Sequence, residues 1–337
     1  MYVMNYKRIS WITCCFFSLS AVSVFSQNNS FHQAAVFKIG GTGGWDYLAV
    51  NGEKLYVSHG TQVNILNKQS GDSISYIPNT TGVHGIAFIP SLNKGYTSNG
   101  RLNNVTVFDL SSNKVISQIA TGQNPDAIMY DDFTKRIITC NGRSNDLSII
   151  DPATEKVVAT IPVGGKPETA VSNGSGSLFV NIEDKNEIVQ VNLSAGKVTN
   201  RWKLGDADGP TGLAYDQATQ RLFSGCDKTL VVLDAQSGKI VKTVAIGDGC
   251  DGVAFDKDSK TILTSNGEGT MTVIKEESAD KYTTVATIPT KKGARTIALD
   301  EATHTVYLPT AEFETTATNG GRPPVKPDTF MVLVYKK

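Results

Sequence analysis

The sequence predicts an all-β protein, a seven-bladed β-propeller of four-stranded antiparallel blades. A pattern of about forty residues recurs along the chain, a period typical of propellers. Each copy holds four short stretches rich in β-branched residues, separated by Gly, Asn, Asp and Ser turns. No helical periodicity follows the first 26 residues. The first apolar residues of the seven copies align at Leu48, Ile86, Ile128, Ala170, Leu213, Val253 and Ile297.

The last repeat supplies only three of its four strands. After Ile297 the sequence offers strands near 296–299, 305–308 and 329–335. Residues 34–39 resemble the fourth strands of the other repeats. Pairing of 34–39 beside 329–335 would close the ring and leave no exposed edge between the first and last blades. We therefore expect an N-terminal strand to complete the last blade.

The N-terminal residues carry the pattern of a cleaved secretory signal peptide. A basic pair at positions 7–8 precedes an apolar stretch over 9–25 and small residues near its end. An uncleaved membrane anchor is the rival interpretation, although the stretch is short and diluted by Ser and Thr. We expect a signal peptide over 1–26 and a single propeller over 27–337, in the periplasm or secreted, with no transmembrane segment after cleavage.

The charge balance narrows the range of partners. Lys and Arg total 32, and Asp and Glu also total 32. A chain without net positive charge lacks the general attraction to phosphate backbones that nucleic-acid binding requires. We expect a monomer that binds a small polar ligand or a protein partner at the mouth of its channel.

Three cysteines remain after the predicted cleavage. Cys226 ends a second strand, and Cys250 begins the first strand of the next repeat. A disulfide between these two, with Cys140 left free, is one interpretation. Three buried reduced thiols are the alternative, and the sequence leaves both open.

The second and third strands of several repeats share a motif. It reads YTSNGRLNNVTVFD at 96–109, ITCNGRSNDLSIID at 138–151 and LTSNGEGTMTVI at 263–274. These stretches resemble the YVTN family of propeller repeats, and residues 293–313 and 322–335 resemble the closing repeat of the YncE-like proteins. The resemblance implies a propeller and export, but it implies no settled activity.

Polar side chains from every repeat are expected at one mouth of the channel, where first strands begin and second strands end. Two positions before the aligned residues stand Asp46, His84, Asp126, Glu168, Thr211, Asp251 and Arg295. The second strands end at His59, Asn99, Asn141, Asn181, Cys226, Asn266 and Thr310. Ligand contacts are expected from Asp46, His59, His84, Asn99, Asp126, Asn141, Glu168, Asp251, Asn266 and Arg295.

These rings have two interpretations. Carboxylates brought together at one opening either raise their pKa values or attract a cation, so the mouth could hold a divalent metal ion or a small polar ligand. A hydrated channel in which the same residues bind water is the alternative. Arg295 could clamp an anionic group or pair with Asp46 or Asp251, and we favour the ion pair.

The richest corner of the mouth combines Asp46, His59 and His84. Two imidazoles and a carboxylate in neighbouring blades are candidate metal ligands, and they are also candidates for acid–base work, although no catalytic role is assigned. The sequence therefore favours an exported binding or scaffold propeller. The alternative is a metal-dependent hydrolase or lyase, similar to lactonases, acting at the mouth. The long loop over 311–328 could be a lid, a docking surface or a brace.

Overall fold

A computed structural model of the protein describes residues 1–3, 31–315 and 323–337. The described residues form seven four-stranded antiparallel sheets, so the predicted seven-bladed all-β propeller is confirmed. Most of the predicted signal peptide lies outside the described residues. The described helices are the 3-10 turns Pro90–Leu92 and Glu183–Lys185, and none is long and apolar enough to cross a membrane.

Strand β1 (His32–Lys38) stands apart from the six blades that follow, each of which uses four consecutive strands. Blade 1 contains β2 (Leu48–Asn51), β3 (Lys54–His59), β4 (Gln62–Asn67) and β5 (Ser73–Ile77). Blade 2 contains β6 (Val83–Ile89), β7 (Lys94–Asn99), β8 (Asn104–Asp109) and β9 (Val115–Ala120). Blade 3 contains β10 (Pro125–Asp131), β11 (Arg136–Asn141), β12 (Asp146–Asp151) and β13 (Lys156–Pro162).

The second half of the ring repeats this order. Blade 4 contains β14 (Pro167–Ser172), β15 (Ser177–Ile182), β16 (Glu187–Asn192) and β17 (Lys197–Lys203). Blade 5 contains β18 (Leu213–Asp216), β19 (Arg221–Cys226), β20 (Thr229–Asp234) and β21 (Ile240–Ala245). Blade 6 contains β22 (Cys250–Asp256), β23 (Thr261–Asn266), β24 (Thr270–Ser278) and β25 (Lys281–Pro289). Blade 7 contains β26 (Ala298–Asp300), β27 (Thr305–Thr310) and β28 (Met331–Lys336), with β1 as its fourth strand.

The ring closes as the sequence predicts. Strand β1 pairs antiparallel with β28, so the N-terminal strand occupies the outer edge of the last blade. Phe37 of β1 is buried and packs over Gly71 of blade 1. A Cβ at position 71 would stand 2.2 Å from the Phe37 ring, and φ there is +79°, so only glycine accommodates both demands. This contact joins the closing strand to the first blade.

The hydrophobic core of the described residues is divided into seven clusters that lie between adjacent blades. The cluster between blades 1 and 2 is typical, because Tyr56 of β3 packs against Phe88 and Phe108 of blade 2, with the closest ring centroids 4.8 Å apart. Each blade thus buries its two faces against its neighbours, as stacked repeats must. This packing leaves the first strand of every blade along the central channel.

The three described cysteines are free and buried. The suggested disulfide between Cys226 and Cys250 is therefore wrong for this structure, and strand geometry gives the reason. Side chains alternate along β19, and it is Gly225 that faces Cys250: a Cβ at position 225 would stand 2.7 Å from the Cys250 Sγ. Cys226 points the other way, into the cluster that contains Phe179 of blade 4.

Candidate functional site

The residues that the repeat alignment placed at one opening do line a common cavity of about 240 Å³. They are Asp46, His84, Asp126, Glu168, Thr211, Asp251 and Arg295. Tyr47, Lys166 and Glu183 line the same cavity and were missed by the sequence analysis. We call this opening the site mouth. Each blade contributes to it because each first strand begins there.

Hydroxyl groups of neighbouring strands fix the backbone of the site residues. The Thr296 hydroxyl donates to the carbonyl of Asp46 over 2.6 Å, and the amide of Asp46 donates to the Ser58 hydroxyl over 2.8 Å. The Ser98 hydroxyl of blade 2 donates to the carbonyl of Asp126 in blade 3. The hydrogen bonds from Thr296 and Ser98 cross from one blade to the next, and the hydrogen bond to Ser58 lies within blade 1. The carboxylates of Asp46 and Asp126 are therefore mounted on a rigid frame.

Asp46, His84 and Asp126 meet at the centre of the site mouth. His84 Nδ1 lies 2.6 Å from Asp46 Oδ2 and 3.7 Å from Asp126 Oδ1. One potential ligand atom from each residue lies within 4.8 Å of the other two. Asp126 Oδ1 is buried and has no hydrogen-bond partner among the described residues. This trio differs from the expected one because Asp126 takes the place of His59.

Burial and neighbouring carboxylates shift the pKa values of the side chains at the site mouth. Burial and the neighbouring Asp46 raise the pKa of Asp126 to about 7. Burial and the charge of Asp126 raise the pKa of Glu168 to about 9, although Lys166 Nζ lies 2.7 Å from its carboxylate. Burial would lower the pKa of His84, but the hydrogen bond to Asp46 and the charge of Asp126 outweigh it and raise that pKa. Burial and neighbouring carboxylates together therefore favour the protonated forms of these groups.

Arg295 is occupied by carboxylates of the site mouth. Its Nε donates to Asp251 Oδ2, and its terminal nitrogen lies 3.6 Å from Asp46 Oδ1. The ion pair favoured by the sequence analysis is confirmed. Burial still raises the pKa of Asp251 against the opposing charge of Arg295. Among the described residues, five carboxylates and two permanent cations, Lys166 and Arg295, line the cavity.

Tyr47 forms the floor of the site mouth. Its hydroxyl approaches the Thr169 hydroxyl of blade 4 at 3.5 Å, across the channel from blade 1. An apolar cavity of about 140 Å³ lies on its other side, lined by residues such as Ile128 and Cys140. Burial raises the pKa of Tyr47 well above its ordinary value, so the phenol stays neutral.

The repeat alignment contained a signal for Tyr47. In the other six repeats the position before the aligned residue is small: Gly85, Ala127, Thr169, Gly212, Gly252 and Thr296. A Cβ at Gly85 would meet Ile128 of the next blade at 2.8 Å, so this position is crowded in the regular blades. One large residue among seven indicates a break in the symmetry, and the break lies at the floor of the cavity.

His59 lies away from the central trio. Its Nδ1 is 3.2 Å from Asn64 Oδ1, and its ring packs on Phe330 with the centroids 4.4 Å apart. Burial lowers the pKa of His59, which favours the neutral imidazole. His59 ends β3 as predicted, but its side chain packs between blades 1 and 7.

The predicted amides also end their strands, but they serve the blades. Asn99, Asn141 and Asn266 are fully buried and do not line the 240 Å³ cavity. Each is hydrogen-bonded to hydroxyls of its own second and third strands, as Asn141 is to Thr139 and Ser148. The same pattern recurs at Asn99 and Asn266. We assign these three a role in joining strands.

The described parts of the long loop brace the blade 7 side of the site mouth. Phe313 and Val325 form an isolated antiparallel bridge, and the Lys326 amide donates to the Glu312 carbonyl over 2.8 Å. The Phe313 ring packs near Trp45, with the centroids 6.1 Å apart. Trp45 directly precedes Asp46, so these loop contacts hold the backbone that leads into Asp46.

Comparisons with known proteins define the fold and go no further. No protein-family model matches the chain, and no curated protein matches it in sequence. Among solved structures, a chain of Kuenenia stuttgartiensis hydrazine synthase aligns with a TM-score of 0.70 and 15% sequence identity. The alignment covers 79% of this chain and 92% of that chain. At this identity the similarity shows a shared propeller fold, and it carries no activity across.

Proposed function

We propose that this protein is an exported β-propeller binding protein whose site mouth binds a divalent cation through Asp46, His84 and Asp126. The cation then presents its free coordination positions to a small polar ligand. The observation that carries the proposal is the geometry of the trio: three ligand atoms lie within 4.8 Å, and Asp126 Oδ1 is buried with no partner in the described residues.

The charges around the trio support a cation. A buried carboxylate oxygen that accepts no hydrogen bond costs free energy, and the cost falls if a metal ion replaces the missing hydrogen bond. Burial raises the pKa values of Asp126 and Glu168, and the negative charges of neighbouring carboxylates raise them further. Among the described residues, five carboxylates and two permanent cations line this cavity. One imidazole and two carboxylates suit first-row divalent ions such as Zn²⁺ and Mn²⁺.

Export and family membership belong to the same proposal. Export rests on the signal-peptide pattern of residues 1–26. Membership of the YVTN-repeat, YncE-like propellers rests on motifs such as those at 96–109 and 138–151. Mass spectrometry of the protein recovered from outside the cytoplasm should show a chain that begins at Gln27. A chain that keeps residues 1–26 would contradict cleavage.

A metal-dependent hydrolase or lyase remains the second candidate. One observation favours it: the trio lines a cavity of about 240 Å³, which leaves room for a substrate beside a cation that could activate water. Metal-loaded protein that opens a simple lactone faster than its Asp126→Asn variant would support this activity. Equal rates for the two proteins would leave the binding protein as the conclusion.

Metal binding by the purified mature protein tests the first candidate. Wild type should bind one equivalent of Zn²⁺ or Mn²⁺ in calorimetry after removal of chelators. Asp126→Asn should weaken binding roughly 100-fold or more, because even the loss of a group that orients a ligand costs tenfold to a hundredfold. His59→Gln is the matched control, and it should bind the metal like wild type.

Two results would contradict the proposal. If wild type binds neither metal, the site mouth is not a cation site. Binding that survives Asp126→Asn but is lost in His59→Gln would move the site to the Phe330 side of blade 1. His304→Gln should leave metal affinity unchanged, since His304 pairs with Asp256 at the opposite end of the channel.

A further inference from the structure

A second cavity, of about 500 Å³, adjoins the cation site. Asp46, His84 and Arg295 line both cavities, so the two spaces share a wall. His84 links them, because its Nδ1 faces Asp46 while its Nε2 lies 2.7 Å from where a Cβ of Gly100 would stand. Gly100 directly precedes Arg101, which lines the second cavity.

Arg101 and Arg143 distinguish this cavity from the rest of the surface. Of the six arginines in the described residues, four pair with carboxylates: Arg136, Arg201, Arg221 and Arg295. The side chains of Arg101 and Arg143 have no ion pair or hydrogen bond within the described part of the chain, and the remaining segments contain no Asp or Glu. The two unpaired arginines line one and the same cavity.

The repeat places these arginines side by side. Each follows an Asn-Gly pair at the turn after a second strand, in blade 2 for Arg101 and in blade 3 for Arg143. The turns are held by the backbone, since the Gly100 amide donates to the Gly82 carbonyl over 2.8 Å and the Arg143 amide donates to the Gln123 carbonyl over 3.1 Å. The equivalent position in blade 6 is Glu268, so the pair does not follow from the repeat alone.

Glycines leave the cavity open and place Arg101. Gly43, Gly44, Gly60 and Gly82 line the space without side chains. The Arg101 stem runs against Gly82, where an added Cβ would stand 2.7 Å from Arg101 Cγ. A cavity lined by backbone and by two guanidinium groups suits a compact anionic ligand. Guanidinium groups bind carboxylate and phosphate oxygens in bidentate fashion.

We propose that this cavity binds a small molecule with anionic oxygen groups, carboxylate or phosphate, one of which ligates the cation while Arg101 and Arg143 hold another. This inference rests on the proposed cation site. Without a cation, the carboxylates of Asp46 and Asp126 repel an anion. With the cation bound, the anion completes its coordination, so each increases the affinity for the other.

Calorimetry on the mature protein tests this coupling, with succinate as the carboxylate probe and glycerol 3-phosphate as the phosphate probe. Protein loaded with Mn²⁺ should bind at least one probe, and metal-free protein should bind neither. Which probe binds identifies the anionic group. Arg101→Gln and Arg143→Gln should each weaken probe binding about tenfold, the loss expected for one charge-assisted contact.

The same variants separate the two proposals. The double variant Arg101→Gln, Arg143→Gln should keep the affinity for Mn²⁺ and lose the probe. Arg136→Gln, which removes the same charge at the far end of β11, should change neither. The inference is overturned if Mn²⁺-loaded wild type binds neither probe, if the double variant binds the probe like wild type, or if the probe binds equally well without Mn²⁺. Failure to bind either Mn²⁺ or Zn²⁺ would instead reject the cation site.

Discussion

Aspartates lie at both ends of the channel, but their surroundings differ. At the far end, opposite the site mouth, the first strands of four blades end with an Asp that accepts a hydrogen bond from the hydroxyl three residues later. The pairs are Asp131 with Thr134, Asp216 with Thr219, Asp256 with Ser259 and Asp300 with Thr303. At the site mouth, Asp46, Asp126 and Asp251 find their nearest charged neighbours on other blades.

The pKa shifts follow this division. Burial would raise the pKa of Asp256, but hydrogen bonds from Ser259 and the nearby Lys337 outweigh it and hold the pKa below its usual range. At the site mouth burial prevails, and the pKa of Asp126 rises to about 7. A carboxylate that accepts hydrogen bonds from its own turn belongs to the fold. A buried carboxylate that lacks such hydrogen bonds and lies beside other carboxylates leaves a need for a cation.

Removal of a far-end carboxylate should have the largest effect on stability. Asp131 is fully buried and accepts hydrogen bonds from the Thr134 amide and hydroxyl and from the Ser172 hydroxyl. Asp131→Ala should lower the free energy of unfolding by about 3 kcal/mol, because these buried donors lose their acceptor. Denaturant unfolding followed by fluorescence measures the loss. A variant as stable as wild type would contradict the claim that far-end carboxylates support the fold.

Metal should stabilise the protein through the site mouth alone. Mn²⁺ at a hundred times its dissociation constant should add about 2.7 kcal/mol to the free energy of unfolding of wild type. Asp126→Asn should gain almost none at the same concentration, while Asp131→Asn should gain as much as wild type. The same unfolding experiment with and without metal gives these differences. Equal gains in both variants would place the metal elsewhere.

The metal-free protein should tolerate the loss of the Asp126 carboxylate. Asp126→Asn removes a buried charge whose Oδ1 has no partner in the described residues, so we expect stability unchanged or raised by about 1 kcal/mol. This is the opposite sign to Asp131→Ala. Thermal unfolding in the presence of a chelator measures it. A large loss of stability would show that Asp126 supports the fold.

Glu168 should make stability depend on pH. The folded pKa is about 9, above the value of about 4.3 in an unfolded chain. The folded state therefore holds a proton that the unfolded state has lost, and stability falls as pH rises toward 9. Glu168→Gln should flatten this fall between pH 6 and 9.

Glu155→Gln is the control for the pH experiment. Hydrogen bonds from Lys94 and Ser117 lower the pKa of Glu155, so its contribution to stability changes only in acid. Its stability profile between pH 6 and 9 should be parallel to that of wild type. If both variants show the wild-type slope, another group carries the pH dependence.

The sequence predicted the features that the seven blades share. Alignment of the repeats predicts the strand ends at His59, Asn99 and Asn141, because each blade has the same geometry. It also predicts the closing strand β1 and the ring that contains Asp46 and Asp126. The direction of a side chain at a strand end does not follow from alignment. The buried amides were therefore placed at the mouth, although they bond within their blades.

The missed residues lie where the repeat is broken. Lys166 and Glu183 belong to turns of blade 4, the blade whose motif departs most from the others. The replacement of His59 by Asp126 in the trio depends on which side of β3 faces Phe330, a packing detail set by the closure of the ring. Such contacts involve residues far apart in sequence, and a repeat pattern contains no information about them.

The most direct test of the central claim is a crystal structure of the mature protein grown with Mn²⁺ and measured for anomalous scattering. We predict one anomalous peak at the site mouth, within coordination distance of Asp46, His84 and Asp126, and no such peak in the Asp126→Asn variant. A site mouth without a peak in fully metal-equilibrated crystals, or a peak held by other residues, would contradict the account.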